Sequence, residues 1–275
     1  MRPSQYVHGY SDREAERLSD QAMTLSDLLH GDTCFPPGSR VLEAGCGTGC
    51  QTCIVTSHSP GAEIVSVDIS RTSLDMAQAK LDDMGHPCHQ FIGGDLFHLP
   101  LRENTFDHVF VCFVLEHLPD PVTALRALRD LLKPGGSISV IEGDHGSCYF
   151  HPETLKALAA WHCLIDIQAF SGGNSLIGRQ LYPLLETAGY ESVHVSPRMV
   201  YSDHSKPEFE EGFVRKTIIP MVDGVRDQAI ISGMVTPKDF DEGIADLHQT
   251  ASPEGSFCYT FFKGTAITSR KMCNF

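Results

Sequence analysis

Apolar residues recur along this chain with two different periods. Ala15, Leu18, Ala22, Leu25 and Leu29 fall three or four apart, which predicts an amphipathic helix. Ser11 and Glu14 suit a capping box at its start. The pattern then changes. Val41-Leu42-Glu43-Ala44 reads as a short buried strand entered from Pro36-Pro37-Gly38, the glycines at 45, 47 and 49 predict a tight turn, and Gln51 to Ser57 continues as a helix. Glu63 to Asp68 is a second strand, and Ser70 to Lys80 a helix with Leu74 and Ala77 inward. Gln90 to Asp95 is a third strand and Phe106 to Cys112 a fourth. Pro121 to Leu132 is helical and stopped by Lys133-Pro134-Gly135-Gly136, and Ser137 to Glu142 is a fifth strand.

Beyond residue 145 the pattern loosens. Thr154 to Ala169 and Gly178 to Ala188 read as helices, Val193 to Val200 as a sixth strand, and residues 207–250 as mixed and helical. Gly255 to Lys263 alternates in polarity and closes the sheet as a late strand, leaving 264–275 as a loose tail. Strands alternating with helices predict an α/β fold with a mostly parallel sheet and right-handed crossovers. Such sheets bind ligands beyond the carboxyl ends of their strands, where the strand order reverses. Glu43, Asp68, Asp95 and Glu142 are all expected at or just inside such ends.

Composition narrows the partners. A formal net charge of −14, with Lys and Arg scattered, disfavours nucleic acid. The first thirty residues hold no apolar signal region, and no run of about 18 apolar residues would span a membrane. Ten irregularly spaced cysteines then read as reduced thiols in a cytoplasmic protein. No internal repeat interrupts this reading, and a monomer or homodimer is expected.

The polar residues describe a ligand. A carboxylate beside a glycine turn, Glu43, suits an ammonium group. Asp68, 23 positions after Gly45, suits a grip on ribose hydroxyls. Asp95 suits an exocyclic amine such as adenine's. The crevice therefore fits a nucleoside with an amino-acid-like end. The dinucleotide pattern G-x-G-x-x-G fails, because Cys50 stands at its last position and Glu43 would repel pyrophosphate.

Glu43-Ala44-Gly45-Cys46-Gly47-Thr48-Gly49, Val67-Asp68-Ile69-Ser70, Gly94-Asp95 with Leu99-Pro100, Phe106-Asp107 with Leu115-Glu116-His117-Leu118, and Leu132-Lys133-Pro134-Gly135-Gly136 resemble the successive motifs of class I S-adenosylmethionine-dependent methyltransferases, in particular the small-molecule subgroup typified by quinone biosynthesis. The resemblance covers roughly residues 36–142. It implies a doubly wound, Rossmann-like sheet of seven strands with an antiparallel last strand, an N-terminal helical lid and helical insertions after strands five and six. The implied divisions are a lid at 1–35, a cofactor core at 36–145, acceptor-binding insertions with the last strands at 146–263, and a tail at 264–275. It implies S-adenosyl-L-methionine as cofactor and S-adenosyl-L-homocysteine as product. Glu43, Gly45 and Gly47 would line the methionine end and Gln51 reach its carboxylate. Asp68 would bind the ribose and Ile69 pack on adenine, with Gly94, Asp95 and Leu96 at the adenine edge. Cys112 and Phe113 would approach the ammonium and sulfonium, with His117 beside them.

Methyl transfer from a sulfonium needs an aligned acceptor and, for some acceptors, a base. Glu142, Asp144 and His145 are candidates, His117 another, and Tyr6 and Tyr10 would orient the acceptor if the N-terminal helix is a lid rather than a plain surface helix. Tyr149, Trp161, Arg179, Arg198 and Tyr201 could line an acceptor pocket, although Trp161 on an apolar helix also reads as core. The acceptor itself is a small organic molecule, with an indole, polyketide or quinone precursor methylated at carbon, nitrogen or oxygen as examples. Cys50-Gln51-Thr52-Cys53 is a C-x-x-C, but it sits inside the glycine motif without a Trp-Cys-Gly-Pro context, against thioredoxin-like redox chemistry. The histidines form no H-E-x-x-H, so no metal site is expected. Rival readings are a cyclase or isomerase using the bound cofactor electrostatically, a non-catalytic cofactor-binding protein and, outside these, an oxidoreductase.

Overall fold

The computed structural model describes residues 12–86 and 89–269, with side chains from residue 16 onward. Helix α1 (Asp12–His30) leads into β1 (Arg40–Ala44), α2 (Cys50–His58), β2 (Glu63–Asp68), α3 (Arg71–Asp83), β3 (Gln90–Gly93) and β4 (Phe106–Cys112). A single 3-10 turn, Leu115–His117, precedes α4 (Pro121–Leu131), followed by β5 (Leu132–His151) and α5 (Leu155–Phe170). Then come α6 (Leu181–Thr187), β6 (Glu191–Asp203) and α7 (Pro207–Phe209). A π-helical segment, Glu210–Ile218, runs on into α8 (Ile219–Asp223), α9 (Arg226–Ile231), α10 (Pro237–Gln249) and β7 (Ser256–Ile267).

The seven strands form one sheet in the order β3-β2-β1-β4-β5-β7-β6, with the last strand antiparallel. β1 is flanked by β2 and β4, both parallel to it, with Glu43 opposite Ser66 and Phe110. Chain order reverses at β1, so the carboxyl ends of β1 and β4 flank the switch point where such folds take their ligands.

The chain separates into two compact units. One comprises Leu28–Glu142, Ile177–Pro197 and Phe262–Phe275. Its core joins Leu42, Val65, Val67, Val109, Val111, Ile138 and Val140 from the strands to Leu125, Leu128 and Leu181 from the helices. The β-branched residues form strands because they fill a pleated, doubly covered surface. Helix α3 starts where the Ser70 hydroxyl accepts the Ser73 N–H at 3.2 Å, and α4 where Asp120 accepts the Thr123 N–H at 3.0 Å with Pro121 in the first turn.

The other unit comprises Met1–Asp27, Gly143–Leu176 and Arg198–Phe261. Its centre is aromatic: Trp161, Phe213, Phe257, Tyr259 and Phe261 meet mostly edge-to-face at centroid distances of 4.7–6.4 Å, the geometry that ring quadrupoles favour. Helix α5 lies against α10, where Gly243 admits the Lys156 carbonyl; a Cβ there would stand 2.4 Å from that oxygen. Trp161 is 2% exposed, so it is a core residue rather than an open pocket wall.

Several boundaries differ from the sequence reading. β3 stops at Gly93, so Asp95 lies just past it, and β6 is longer at both ends. β5 runs from Leu132 to His151 and β7 to Ile267, so Glu142, Asp144 and His145 lie well inside a strand, and the supposed tail starts as strand. Both strands gain residues because a neighbouring strand is there to accept their backbone hydrogen bonds, which local sequence does not reveal. Tyr6, Tyr10, Ser11 and residues 270–275 lie outside the described residues.

Candidate cofactor and active site

The glycine turn between β1 and α2 is held from β2. Gly45, Gly47 and Gly49 all have positive φ, at 75°, 54° and 79°, which side chains disfavour. Their roles separate when a Cβ is imagined on each. On Gly45 it would stand 2.5 Å from Val114 Cγ2, and on Gly49 2.8 Å from Ala77 Cβ. On Gly47 it would meet nothing within 4 Å. Gly45 and Gly49 are thus required by packing, and Gly47 presents bare backbone to open space.

Asp68 ends β2 and ties this turn down. Its Oδ2 accepts the Gly47 N–H and its Oδ1 the Ser70 N–H, both at 2.8 Å. Ile69 beside it is 65% exposed, an apolar surface standing free at the strand tip. At the end of β3, the Gly94 N–H donates to the Asp68 carbonyl at 3.0 Å and Asp95 Oδ1 accepts the Phe97 N–H at 3.0 Å. Leu96 is buried. These groups lie in one unit and share the carboxyl ends of adjacent strands.

Glu43 is buried one position inside the tip of β1. Its Oε2 accepts the Ser66 hydroxyl at 2.5 Å, and that hydroxyl in turn meets His89 Nε2 at 2.9 Å. Burial pushes the Glu43 carboxyl up to about 7, against the Ser66 hydroxyl, which pulls it down. Ser66 and His89 were missed in the sequence. The signal that could have found Ser66 is register: parallel pairing that starts with Arg40 opposite Glu63 sets Ser66 opposite Glu43.

β4 ends in buried Cys112, whose thiol burial pushes well up, and then Phe113 turns with φ +58°. A left-handed non-glycine residue stores strain and occurs mainly where surroundings enforce it. The enforcing group is Glu142. Its Oε1 accepts the N–H groups of Val114 at 2.9 Å and Leu115 at 2.7 Å. Glu142 is fully buried, and burial, aided by Glu116, pushes its carboxyl up to about 8. Glu142, expected as a candidate base, lies inside β5 and anchors the turn that carries Phe113 and His117. His117 is partly exposed, with Nε2 3.6 Å from Glu116 Oε1.

Gln51 is held from α1. Its Oε1 meets Nε2 of buried His30 at 2.7 Å, which assigns the ring proton to Nε2. Burial lowers His30 to about 4, so the ring is neutral at physiological pH.

His145 belongs to the other unit. Its Nδ1 meets the Tyr259 hydroxyl at 2.6 Å, its backbone carbonyl accepts the Trp161 indole N–H at 2.9 Å, and its own N–H donates to Ser175 O at 2.8 Å. Asp144 is buried, its Oδ1 accepting the Gly146 N–H at 3.0 Å. Tyr149 and Tyr201 are exposed, and Arg179 and Arg198 both have partners.

Residues 42–140 match the profile of the methyltransferase domain family. Over that stretch the chain is similar to class I S-adenosylmethionine-dependent methyltransferases. Among curated relatives, the demethylmenaquinone methyltransferase of Staphylococcus saprophyticus is 37% identical over 141 residues, 50% of this chain and 59% of that protein. An uncharacterised 37.1 kDa protein encoded in a Streptomyces fradiae transposon is 28% identical over 201 residues, 72% of this chain and 57% of that protein. The chain thus spans little more than half the length of these curated relatives. Among solved structures, the [4+2]-cyclase SpnF superposes with a TM-score of 0.56 at 19% identity, covering 91% of this chain and 81% of that one. Phosphoethanolamine N-methyltransferase 2 of Haemonchus contortus, solved with S-adenosylhomocysteine, does so with a TM-score of 0.55 at 15% identity, covering 91% and 53%. At these identities the structures share the fold. Among the described residues no helix is long and apolar enough to cross a membrane.

Proposed function

We propose that this chain transfers a methyl group from S-adenosylmethionine to a small organic acceptor. The observation that carries the reading is the Asp68–Gly47 bond. It holds a glycine turn with one bare, outward-facing residue at the carboxyl ends of β1 and β2. The cradle suits a nucleoside: no side chain crowds Gly47, and Ile69 offers an apolar face beside a carboxylate.

In this reading Gly45 and Gly47 admit the cofactor's methionine end, Asp68 takes the ribose hydroxyls and Ile69 covers adenine. Gly94, Asp95 and Leu96 bound the adenine edge, and Cys112, Phe113 and His117 bound the sulfonium side. When bound, the cofactor supplies an electrophilic methyl group on a sulfonium that departs as a neutral sulfide. Glu43 braces the turn from behind through Ser66, and Gln51 fixes α2 against His30. His145 remains the candidate proton acceptor, with Tyr259 setting which ring nitrogen carries the proton. Tyr6 and Tyr10 remain candidates for orienting the acceptor. The free cysteines among the described residues fit a reducing, cytoplasmic setting.

The test is incubation with methyl-labelled S-adenosylmethionine and a panel of quinone, indole and polyketide acceptors. Label in the product is expected. Conversion without label would replace transfer by the cyclase reading, and tighter binding of NAD than of S-adenosylhomocysteine would overturn the cofactor.

A further inference from the structure

The C-x-x-C at the start of α2 acquires a meaning in three dimensions that its sequence context lacks. Because Gly49 has no Cβ, α3 approaches until Ala77 fills that space. Lys80, one helical turn beyond Ala77, is thereby carried to the first residue of α2. Its Nζ donates to Cys50 Sγ at 3.0 Å and reaches Thr48 Oγ1 at 3.5 Å, while Thr48 Oγ1 and Cys50 Sγ are 3.4 Å apart. Cys53 follows one turn along α2, half-buried. Burial pushes its thiol up, and Cys50 and Lys80 are both close enough to act on it.

We propose that Cys50 is a modification site: a nucleophilic thiol, with Lys80 as its counter-ion and Cys53 as its resolving partner, that reacts with hydroperoxides. A sulfur that accepts an ammonium N–H at a helix N-terminus has positive charge beside it to balance the charge that develops during attack. The Cys50 sulfur attacks the terminal oxygen of the hydroperoxide. An S–O bond forms, the O–O bond breaks, and the leaving alkoxide takes a proton from Lys80, which the Cys50 thiol proton replaces, to depart as alcohol, or as water from hydrogen peroxide. The Cys53 thiol then attacks the Cys50 sulfur. An S–S bond forms, the S–O bond breaks, and hydroxide leaves as water with the Cys53 proton. Two thiols and one hydroperoxide become one disulfide, one alcohol and one water.

Cys34 is the internal control, being exposed and with only a weak contact to the Phe35 carbonyl at 4.0 Å. Exposure alone would make Cys34 the faster thiol. In the full chain without added ligand, iodoacetamide labelling followed by peptide mass mapping is expected to modify Cys50 at least tenfold faster than Cys34. Lys80→Gln should remove that advantage and Lys80→Arg should retain it. Hydrogen peroxide should leave the Cys50–Cys53 peptide two hydrogens lighter, and Cys53→Ser should instead give a dimedone adduct on Cys50. Labelling of Cys34 at an equal or higher rate, or peroxide treatment that leaves the pair reduced, would overturn the site.

A second measurement tests its coupling to the cradle and rests on the proposed function. Closing the pair draws in the first turn of α2 directly after Gly49. S-adenosylhomocysteine should bind the oxidised protein at least tenfold more weakly, with recovery on reduction. Equal affinity of both forms would sink the coupling alone, whereas reduced protein that binds none would sink the cofactor reading and leave the thiol chemistry standing.

Discussion

Asp68 holds Gly47: the Oδ2 of the carboxylate that ends β2 accepts the amide of the middle glycine of the turn, 21 residues upstream, at 2.8 Å. One side chain therefore positions the cradle and, in the proposed function, grips the ribose. Asp68→Ala should weaken S-adenosylhomocysteine about ten- to hundredfold, the cost of about 1.5–3 kcal/mol for a lost charged hydrogen bond. Asp68→Asn should fall between, since it keeps one acceptor. Calorimetric titration reads both, and unchanged affinity in Asp68→Ala would remove Asp68 from the site.

The three glycines should fail differently. Gly49→Ala combines a φ of +79° with a 2.8 Å approach to Ala77 and should cost about 2–4 kcal/mol of folding stability, as strain adds to overpacking. Gly47→Ala has a φ of +54° and free space around its Cβ. It should cost about 1–2 kcal/mol, with the larger loss in cofactor affinity. Urea melts beside binding titrations separate the two.

The contribution of two buried glutamates to stability should fall as pH rises from about 5 to 8. Glu142 and Glu43 have carboxyls raised to about 8 and about 7 in the fold. Each is protonated in the fold where the unfolded chain has already lost its proton. Their contribution is complete below the ordinary carboxylate range and disappears through the raised values. Glu142→Gln keeps an acceptor for Val114 and Leu115 without a titrating proton. It should fold and show a flatter profile between pH 5 and 8 in denaturant melts; an unchanged slope would mean that Glu142 is ionised throughout.

His30 acts at the acid side. Burial lowers it to about 4, so the unfolded chain binds a proton that the fold refuses as pH drops from 6.5 to 4. Its stabilising effect is present above 6.5 and lost on the way down. His30→Leu should reduce this acid slope to the part that His89, lowered by burial to about 4, still supplies, and so leave more of the glutamates' rise toward low pH visible in the same melts.

Tyr259→Phe should lower kcat about ten- to hundredfold with little change in cofactor KM, and move the pH profile. It deletes the hydroxyl on His145 Nδ1 while keeping the ring among Trp161, Phe213 and Phe261. An orienting partner of a general base typically matters at about this scale. A change in stability with an unmoved pH profile would make the pair purely structural.

The sequence by itself determined the alternation of strands and helices, the glycine turn and the carboxylates in β1, at the end of β2 and just past β3. These are local matters: period, missing side chains and chemical type survive any change in what packs around them. Glu142 shows the limit. Its residue type suggested a base, but its fate depended on β5 continuing to His151 and on two amides of the turn after β4 needing an acceptor. Gln51 turned to His30, Ser66 met Glu43, and Lys80 reached Cys50, all across more than 20 residues of chain. Only the tertiary structure decided these pairings. A buried polar group bonds to whatever the fold brings within about 3 Å, and neither strand register nor helix approach is written in any one segment.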